Sequence, residues 1–589
     1  MWEIISIDHD SLICSRDIGI GNTPRKQSTK PDTLSCIVSS ATSIASFLGN
    51  DPSALSSFHE GGKGSCVALA DFASRHFLAF HQRNTTAETV VVNEDGNVEN
   101  NQRRHISIHL ETLDEGLLKK RQRRKRKGQR LYPPYVVERS DFFCCDGILR
   151  INVCVIIQST SKEPLSKERV KTIVSGSCQS IFRRVFSVDD PTFQKRLLEH
   201  ISCVALQQRL RSHLLSIDAI AFISDGSILP RKSGASFSPM ASPPAVAFKA
   251  PPNSRMSTSI SIDMGSLIDY VSTSSLKIES IHKSTVVLSG LVVLQGVTLI
   301  CGGGYHGKST TLQAIAVGQY DKISGDGREF CVSVPNAVTV RAEDGRYVNN
   351  CNISAFISNL PTPPGVNTPL DTQHFSTRDS SGSTSQATNV VEAIEFGATC
   401  LLVDEDISAA NFMARDGRMR SLVMDESITP LLYRVNGLYN AHKISSIIVV
   451  GGVGDWLDVP HNVILLDKYM VYDATKKARS ISNQFSYGHV QYAGRGVVHR
   501  LEWEKEGMPI PRRPTDAFSR RFDSDVNVSL LNSGCVLSLY KEDVEDDDAD
   551  ESANQMVITI DDDDDDDDEE EEKDDNKNKD GRRQGILWW

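Results

Sequence analysis

The sequence lacks three features that would indicate a membrane or secreted protein. Its longest apolar runs, Ile151 to Ile157 and Ile444 to Val450, are much shorter than the roughly 20 residues that a membrane-spanning helix needs. Its 13 cysteines include no C-x-x-C pair, so their spacing favours neither a zinc site nor a disulfide framework. The amino-terminal segment resembles neither a secretory signal nor an arginine-rich transit peptide. These absences predict an intracellular protein, cytoplasmic or nuclear, without a membrane partner.

Excess negative charge is also absent outside the carboxyl-terminal end. The chain carries −12, but residues 541–589 hold 23 acidic and 6 basic residues, which leaves +5 on residues 1–540. Twelve consecutive carboxylates, Asp561 to Glu572, repel one another, so we expect a disordered acidic tail that either competes for a basic groove or only solubilises the chain. The basic cluster, Lys119 to Arg130, is typical of a nuclear-localisation signal, a phosphate-backbone contact or a solvated loop.

The sequence does contain a phosphate-binding loop. Residues 302–309 read GGGYHGKS, the G-x-x-x-x-G-K-[ST] pattern, between a strand expected at Val297 to Cys301 and a helix expected at Ser309 to Val317. Glycines let backbone N–H groups converge on phosphate oxygens, Lys308 reaches the β and γ phosphates, and the Ser309 hydroxyl suits Mg²⁺. The predicted contacts of ATP here are Gly302, Gly303, Gly304, Tyr305, His306, Gly307, Lys308, Ser309 and Thr310.

A second buried strand, expected at Cys400 to Glu405, ends in two carboxylates. A Walker B element has this form, with one carboxylate facing magnesium and the next orienting the attacking water. Asp404 and Ser309 are therefore the predicted metal ligands, and Glu405 with Lys308 the predicted catalytic residues. An ordinary solvated loop after a strand is the alternative reading, but the P-loop favours the catalytic one.

Two shorter segments lie where ATPases of the ABC class carry motifs. The signature segment, Ser381 to Gln386, includes Gly382, 22 residues before Asp404. In that class a Ser-Gly-rich signature opens a helix whose amides meet the γ-phosphate of ATP held by another subunit. The alternative is a Ser-rich loop with an ordinary helix N-cap. The D-loop segment, Ser408 to Asn411, matches its motif in part. The predicted nucleotide contacts in the signature segment are Ser381, Gly382, Ser383 and Gln386.

Together these motifs resemble a specific family, the predicted ATPases of the ABC class. The resemblance runs from Gly296 to Asp473, through stretches such as GVTLICGGGYHGKSTTLQAI, SGDGREF, RAEDGR and ATCLLVDEDISAANFMARD, and includes the block Ile220 to Gly234. It implies an ATP-binding core flanked by amino- and carboxyl-terminal domains in a soluble protein. Some members are similar to RNA-binding, dimeric ATPases that enclose a basic pore. The resemblance therefore implies a homodimer, with RNA or another nucleic acid as partner.

The sequence departs from general ABC practice where a switch histidine would follow the strand Ile447 to Val450. It reads Gly-Gly-Val-Gly-Asp at residues 451–455. The resemblance implies that Asp455, or the backbone there, senses hydrolysis instead. The histidines that remain as alternatives are His306, His442 and His461, although a lone histidine is usually an ordinary loop residue.

Two further roles stay open at this stage. Arg328 with Glu329, and Arg341 with Arg346, are either a clamp on the nucleotide or surface charge. The aromatic residues that are equally plausible as base contacts are Phe248, Tyr270 and Tyr305.

Composition shifts predict six parts in the chain. The fold class is α/β: an ABC-type P-loop NTPase core with an α+β N-terminal domain, a small C-terminal domain and a disordered acidic tail. The predicted parts are a poorly patterned, partly disordered region at 1–130, with loops at 1–60 and 84–130 around a helix near 65–80; the α+β domain at 131–235; a Pro/Ser-rich linker at 236–257; the ATPase domain at 258–480; the small domain at 481–540; and the tail at 541–589. In the small domain, the residues that either line a nucleic-acid groove or are ordinary solvated surface are Arg495, Arg500, Arg512, Arg513, Arg520 and Arg521, with Tyr492 and Trp503.

The function predicted from these features is that of an ABC-class ATPase, which binds and hydrolyses ATP with Mg²⁺ as a nucleotide-gated dimer acting on RNA or other nucleic acid. The alternative is a non-hydrolysing nucleotide-gated scaffold or RNA-binding module. A P-loop kinase of a small molecule is disfavoured, because the signature and D-loop segments would have no role in it.

Overall fold

The computed structural model describes residues 3–8, 32–83, 106–112, 133–137, 139, 141–159, 167–271, 280–358, 360, 371–415, 419, 422–423, 426–484, 526–530 and 537–541. The basic cluster, the run of acidic residues at 561–572 and the arginines expected to line a groove lie outside these residues. The predictions made for those segments therefore stay predictions.

The described secondary structure contains both strands and helices. In chain order the strands are β1 (Glu3–Asp8), β2 (Asp32–Ser43), β3 (Ile106–Thr112), β4 (Phe142–Cys145), β5 (Ile148–Ser159), β6 (Ala219–Ser224), β7 (Ser257–Asp263), β8 (Ser280–His282), β9 (Thr285–Leu294), β10 (Val297–Gly302), β11 (Cys331–Ser333), β12 (Ala337–Val340), β13 (Val348–Cys351), β14 (Phe375–Thr377), β15 (Cys400–Asp404), β16 (Ser445–Val450), β17 (Asn462–Asp467), β18 (Met470–Asp473), β19 (Val526–Leu530) and β20 (Leu537–Lys541). The helices are α1 (Ile44–Phe47), α2 (Pro52–Glu60), α3 (Gly62–Arg83), α4 (Lys167–Val185), α5 (Pro191–Ser216), α6 (Lys308–Ala316), α7 (Gly382–Glu395), α8 (Ala410–Met413), α9 (Val435–His442) and α10 (Thr475–Gln484).

A largely parallel sheet forms the centre of the ATPase core. Within the described residues its strand order is β12-β15-β16-β10-β17-β18, and only β18 runs antiparallel to its neighbour. The carboxyl ends of the parallel strands therefore meet at one edge, where open α/β sheets bind their ligands. The P-loop, the Asp404-Glu405 pair and the Gly451-Gly452 turn all follow strands that end at this edge.

Both faces of this sheet are covered, which explains why its inner strands are mainly apolar. Every residue of β15 and β16 is buried. Leu401 and Val403 face a cluster that includes α7, whereas Leu402 faces one that includes Leu312 of α6. Strands buried on both faces appear as continuous hydrophobic runs, so the sequence predicted β10 and β15 to within one residue.

Besides the strand pairs β13-β14 and β19-β20, the described fold contains two larger antiparallel sheets. One, in the amino-terminal part, has the order β1-β2-β5-β3, with β4 also on β5, and packs against α3, α4 and α5. The other has the order β11-β6-β9-β7, with β8 also on β9, and covers the α6 side of the central sheet. Together with the covered central sheet, these elements confirm the predicted α/β fold class.

The structure corrects the expectation of loops or disorder for residues 1–60 wherever it describes them. Strand β2 pairs with β5 along all 12 residues, and helices α1 and α2 follow it directly. Strand preference depends on cross-strand neighbours more than on the segment itself. Because the partner of β2 begins at Ile148, more than a hundred residues further along the chain, a local reading of a Ser-rich stretch missed this strand.

The expected linker at 236–257 is packed against the core. Ala245, Phe248 and Met256 are buried, and β6, before the linker, is hydrogen-bonded between β9 and β11, which lie after it. The antiparallel sheet therefore draws strands from both sides of the segment. The domain boundaries themselves remain a prediction.

The segment that follows α6 contacts α5 through an ion pair and hydrogen bonds. Arg211 pairs with Asp321 at 2.8 Å. The Gln207 side chain donates to the Lys322 carbonyl and accepts from the Lys322 amide, each at 2.8 Å. Burial lowers the pKa of the Lys322 amine to about 8. The P-loop helix thus leads directly into a buried polar contact with the amino-terminal part of the chain.

Candidate nucleotide-binding site

The P-loop turns sharply between β10 and α6. Gly302 has φ of 151°, and a Cβ added there would lie 2.2 Å from the Leu466 carbonyl oxygen of β17. Gly307, with φ of 97°, is the N-cap of α6. Tyr305 also takes a left-handed conformation, with φ of 60°. These turns wrap the loop around the start of α6, the arrangement that aims backbone N–H groups at phosphate oxygens.

The close approach at Gly302 leads to a stability prediction. Gly302→Ala should destabilise the protein by about 2 kcal/mol or more, because the left-handed backbone and the clash with a backbone oxygen cannot both be relieved. Thermal unfolding of the full chain measures this. Gly304→Ala is the matched control, since a Cβ there meets no atom within 4 Å. Equal melting temperatures for the two variants would contradict the expected strain.

The Lys308 side chain is hydrogen-bonded to the backbone of the P-loop. Its Nζ donates to the carbonyl oxygens of Gly302 and Gly303, each at 2.9 Å. Ser309 follows at the start of α6 with an exposed side chain, and Thr310 is half-buried. Burial raises the pKa of the neighbouring Cys301 thiol to about 11, so this thiol stays neutral near pH 7 and is not a nucleophile.

Glu405 meets the Gly-Gly turn at the edge of the next strand. Its Oε2 accepts hydrogen bonds from the backbone N–H of Gly451 at 2.5 Å and of Gly452 at 2.9 Å. A Cβ placed on Gly451 would lie 3.8 Å from this oxygen and 3.9 Å from Lys308 Nζ. The fold therefore brings together Lys308, Glu405 and the Gly451-Gly452 amides.

Asp404 is buried at the end of β15, and its Oδ1 accepts from the Asp406 amide at 3.2 Å. A carboxylate here and the Ser309 hydroxyl are hard oxygen donors of the kind that bind Mg²⁺ together with substrate phosphates. The glycine cradle and Lys308 likewise suit a triphosphate. No group of three or more His, Cys, Asp or Glu side chains that could hold a metal ion alone occurs in the described part of the chain.

The signature segment begins a helix, as predicted. Ser381 is the N-cap of α7, and its Oγ accepts from the Thr384 amide at 3.5 Å. Ser381 is exposed, and Gly382 and Ser383 are partly exposed. Both the signature reading and the N-cap reading fit this local geometry.

The structure corrects the prediction that Gln386 contacts the nucleotide. Gln386 is fully buried; its Nε2 donates to Ser408 Oγ at 2.9 Å, and its Oε1 accepts from the Ala409 amide at 2.8 Å. Ser408 in turn donates to the Asp404 carbonyl at 2.7 Å. Gln386 therefore joins α7 to the D-loop segment and to the acidic pair, and does not face a ligand.

The structure gives the positions of the three histidines that were alternatives to Asp455. His461 accepts from the Val297 amide at 3.0 Å, and His442 ends α9 just before β16, so both lie at the amino edge of the sheet, away from Glu405. His306 contacts the opposite side of the loop, at β17, with Nδ1 3.4 Å from the Leu466 carbonyl oxygen. Asp455 lies beyond the Gly-Gly turn, in the short 3-10 helix Gly454–Asp458.

The two charged pairs that the sequence left open also have defined positions. Arg328 is buried and donates to the Leu229 carbonyl at 2.7 Å, and burial raises the pKa of Glu329. Arg346 binds Asn389 and Glu392 on α7, whereas Arg341 pairs with Glu343 at 3.0 Å. Arg328 and Glu329 are thus buried and are not surface charge, and Arg346 contacts the helix of the signature segment.

The sequence analysis did not single out the β17–β18 hairpin, which adjoins the P-loop. A Cβ at Gly307 would lie 3.5 Å from Cδ1 of Tyr469, and His306 Nδ1 is 3.5 Å from Asp467 Oδ1. The signal present in the sequence was two apolar strands separated by Lys468-Tyr469, a two-residue hairpin turn.

A central parallel sheet covered on both faces, with a P-loop at the carboxyl end of β10, defines an α/β P-loop protein. Comparison with known families gives the class: the ABC ATPase P-loop domain matches residues 193–500, more than half of the 589 residues, and the chain belongs to this family. This membership assigns it to the nucleotide-binding ATPases and confirms the predicted resemblance.

One similar sequence gives no information on the function of this chain. An uncharacterized protein of Methanocaldococcus jannaschii is 32% identical over 115 residues, which is 20% of this chain and only 24% of that protein's length. Among the helices of the described ranges, none is long and apolar enough to cross a membrane.

Proposed function

We propose that this protein binds and hydrolyses ATP with magnesium at the P-loop. The observation that carries this proposal is the position of the Glu405 carboxylate, held by two backbone amides beside Lys308 at the carboxyl edge of the sheet. A carboxylate fixed next to the lysine of a P-loop is placed to orient a water molecule against the γ-phosphate.

Each residue of the site has a role in this proposal. The loop amides and Lys308 hold the triphosphate, and Ser309 and Asp404 hold Mg²⁺, which neutralises charge on the phosphate oxygens when bound. Glu405 orients the attacking water and accepts its proton. The amides of Gly451 and Gly452 fix Glu405, in the place of a switch histidine, with Asp455 close by in sequence.

We further propose that the site is completed across a homodimer. Ser381, Gly382 and Ser383 lie at the start of α7, where helix amides favour an anionic ligand of a second subunit. Gln386 links this helix to the D-loop segment and to the strand that ends in Asp404. ATP binding would then add interface contacts and hydrolysis remove them, so that the γ-phosphate controls subunit separation.

RNA or another nucleic acid is the proposed partner of the dimer. The net charge of +5 on residues 1–540 and the nine basic residues within Lys119 to Arg130 support an anionic polymer. The alternative is a nucleotide-gated scaffold or RNA-binding module that does not hydrolyse ATP.

The experiment that tests the proposal measures phosphate release by the full chain with Mg²⁺ and ATP, with and without single-stranded RNA. Lys308→Ala is the binding-deficient control; we expect it to weaken ATP binding roughly 10²-fold, because it removes charge-assisted hydrogen bonds to phosphate. Release that requires Lys308 and changes with RNA is the expected result. ATP binding without release would favour the non-hydrolysing alternative, and wild-type affinity in Lys308→Ala would contradict the site itself.

A further inference from the structure

The order of strands, taken together with the proposed function, indicates which side of the P-loop faces the nucleoside. Strand β10 lies between β16 and β17. The β16 side carries Gly451 and Gly452, which hold Glu405. If the γ-phosphate points to Glu405, as the proposed function requires, the nucleoside leaves the loop on the opposite side, where the β17–β18 hairpin lies.

The turn of this hairpin is built against the P-loop. The Leu466 carbonyl approaches Gly302, Asp467 lies near His306, and the ring of Tyr469 lies near Gly307. Lys468 and Tyr469 both take left-handed conformations, with φ of 48° and 68°. Two-residue turns of this kind favour Asn and Gly, so a bulky aromatic residue here is an energetic compromise of the sort found at functional sites.

The Tyr469 side chain lies close to the P-loop and is also exposed to solvent. Its Cδ1 is 3.5 Å from the Cβ position of Gly307, yet the residue is 55% exposed. Of the aromatic residues that the sequence offered as base contacts, Phe248 is 5% exposed in the core, and Tyr270 packs against the amino-terminal core. Tyr305 is 81% exposed but belongs to the phosphate loop itself.

We propose that Tyr469 is the base contact of this site, and that its ring stacks on the nucleobase of a nucleoside triphosphate bound at the P-loop. This inference rests on the proposed function for the orientation of the triphosphate. Because every base has a π face, stacking gives affinity with little selectivity among bases. ATP and GTP should therefore depend on Tyr469 to a similar degree.

Calorimetric titration of the full chain with Mg²⁺-ATP, Mg²⁺-GTP and Mg²⁺-tripolyphosphate tests this. Tyr469→Ala should raise the Kd for both nucleotides about tenfold, within the range measured for one stacked base. Tripolyphosphate lacks a base, so its Kd should not change. Tyr469→Phe keeps the ring and should retain wild-type affinity. Tyr472→Ala is the matched control, since Tyr472 is 47% exposed on the same hairpin.

Several outcomes would overturn the inference. Unchanged nucleotide affinity in Tyr469→Ala would do so, and so would equal losses for tripolyphosphate and ATP, because the ring would then only support the loop. Tyr469→Asn, a residue that tolerates the left-handed turn, repeats the test should the alanine variant fail to fold. A wild-type chain that binds neither tripolyphosphate nor nucleotide would refute the proposed function, and this inference with it.

Discussion

Glu405→Gln should lower ATP turnover by roughly 10² to 10⁴, the usual contribution of a positioned general base. Glutamine keeps the shape of the side chain and an oxygen that can accept from the Gly451 and Gly452 amides, but it cannot take a proton from water. ATP binding should therefore persist while phosphate release falls. Because ATP stays bound, we also expect the variant to favour the dimer, which sedimentation with Mg²⁺-ATP would detect.

The acidic residue next to it provides the control. Asp406→Asn removes the negative charge of the next residue along the chain. The backbone amide of Asp406, which donates to Asp404, is kept in this variant. Turnover in Asp406→Asn should stay near that of the wild type. Equal turnover in the wild type and Glu405→Gln would remove Glu405 from its assigned role.

Gly452→Pro should lower turnover about 10²-fold, which is similar to the loss of one backbone-type donor from a catalytic site. Proline removes the N–H that Glu405 accepts and directs a ring carbon toward Oε2. The preceding residue, Gly451, tolerates the restriction that proline imposes on its neighbour. Nucleotide affinity should be nearly unchanged, because neither amide is required at the P-loop. Steady-state phosphate release together with ATP titration separates the two effects.

Gly452→Ala tests whether the effect of proline comes from the missing backbone N–H or from the loss of glycine's flexibility. Gly452 does not have a left-handed φ, and an added Cβ would lie 3.4 Å from Glu405 Oε1, an ordinary contact. The alanine variant keeps the N–H and should retain most of the turnover. If alanine and proline reduced turnover equally, the turn would act through its flexibility and not through its hydrogen bonds to Glu405.

The parts of the site that follow buried strands were predictable because their signals are local. The runs Val297 to Cys301 and Cys400 to Val403 are mainly apolar, as is typical of strands covered on both faces. The P-loop pattern fixes its own chemistry, since glycines, lysine and serine at fixed spacing define a phosphate cradle. The helix at the signature segment was expected because the Ser-Gly-rich signature of the ABC class opens a helix, and the alternative interpretation was an ordinary N-cap serine.

Other features were not predictable, because they depend on residues distant in the chain. Strand β2 forms only with β5, and Gln386 became a structural residue only because α7 packs against the D-loop segment. The sequence left Arg328 and Glu329 open as a nucleotide clamp or as surface charge, but both residues are buried, and Arg328 donates to the Leu229 carbonyl. Local propensity carries no information about such distant contacts.

The sequence alone indicated the class of this protein, an α/β P-loop ATPase of the ABC class, and it predicted Lys308, Ser309, Asp404 and Glu405 as site residues. Tertiary structure alone decided that the Gly451 and Gly452 amides hold Glu405, and that Tyr469 adjoins Gly307. The physical reason is the parallel sheet, which gathers the ends of β10, β15, β16 and β17 at one edge although more than 160 residues separate Gly302 from Asp467. Motif spacing specifies each strand end, and strand order specifies which ends meet.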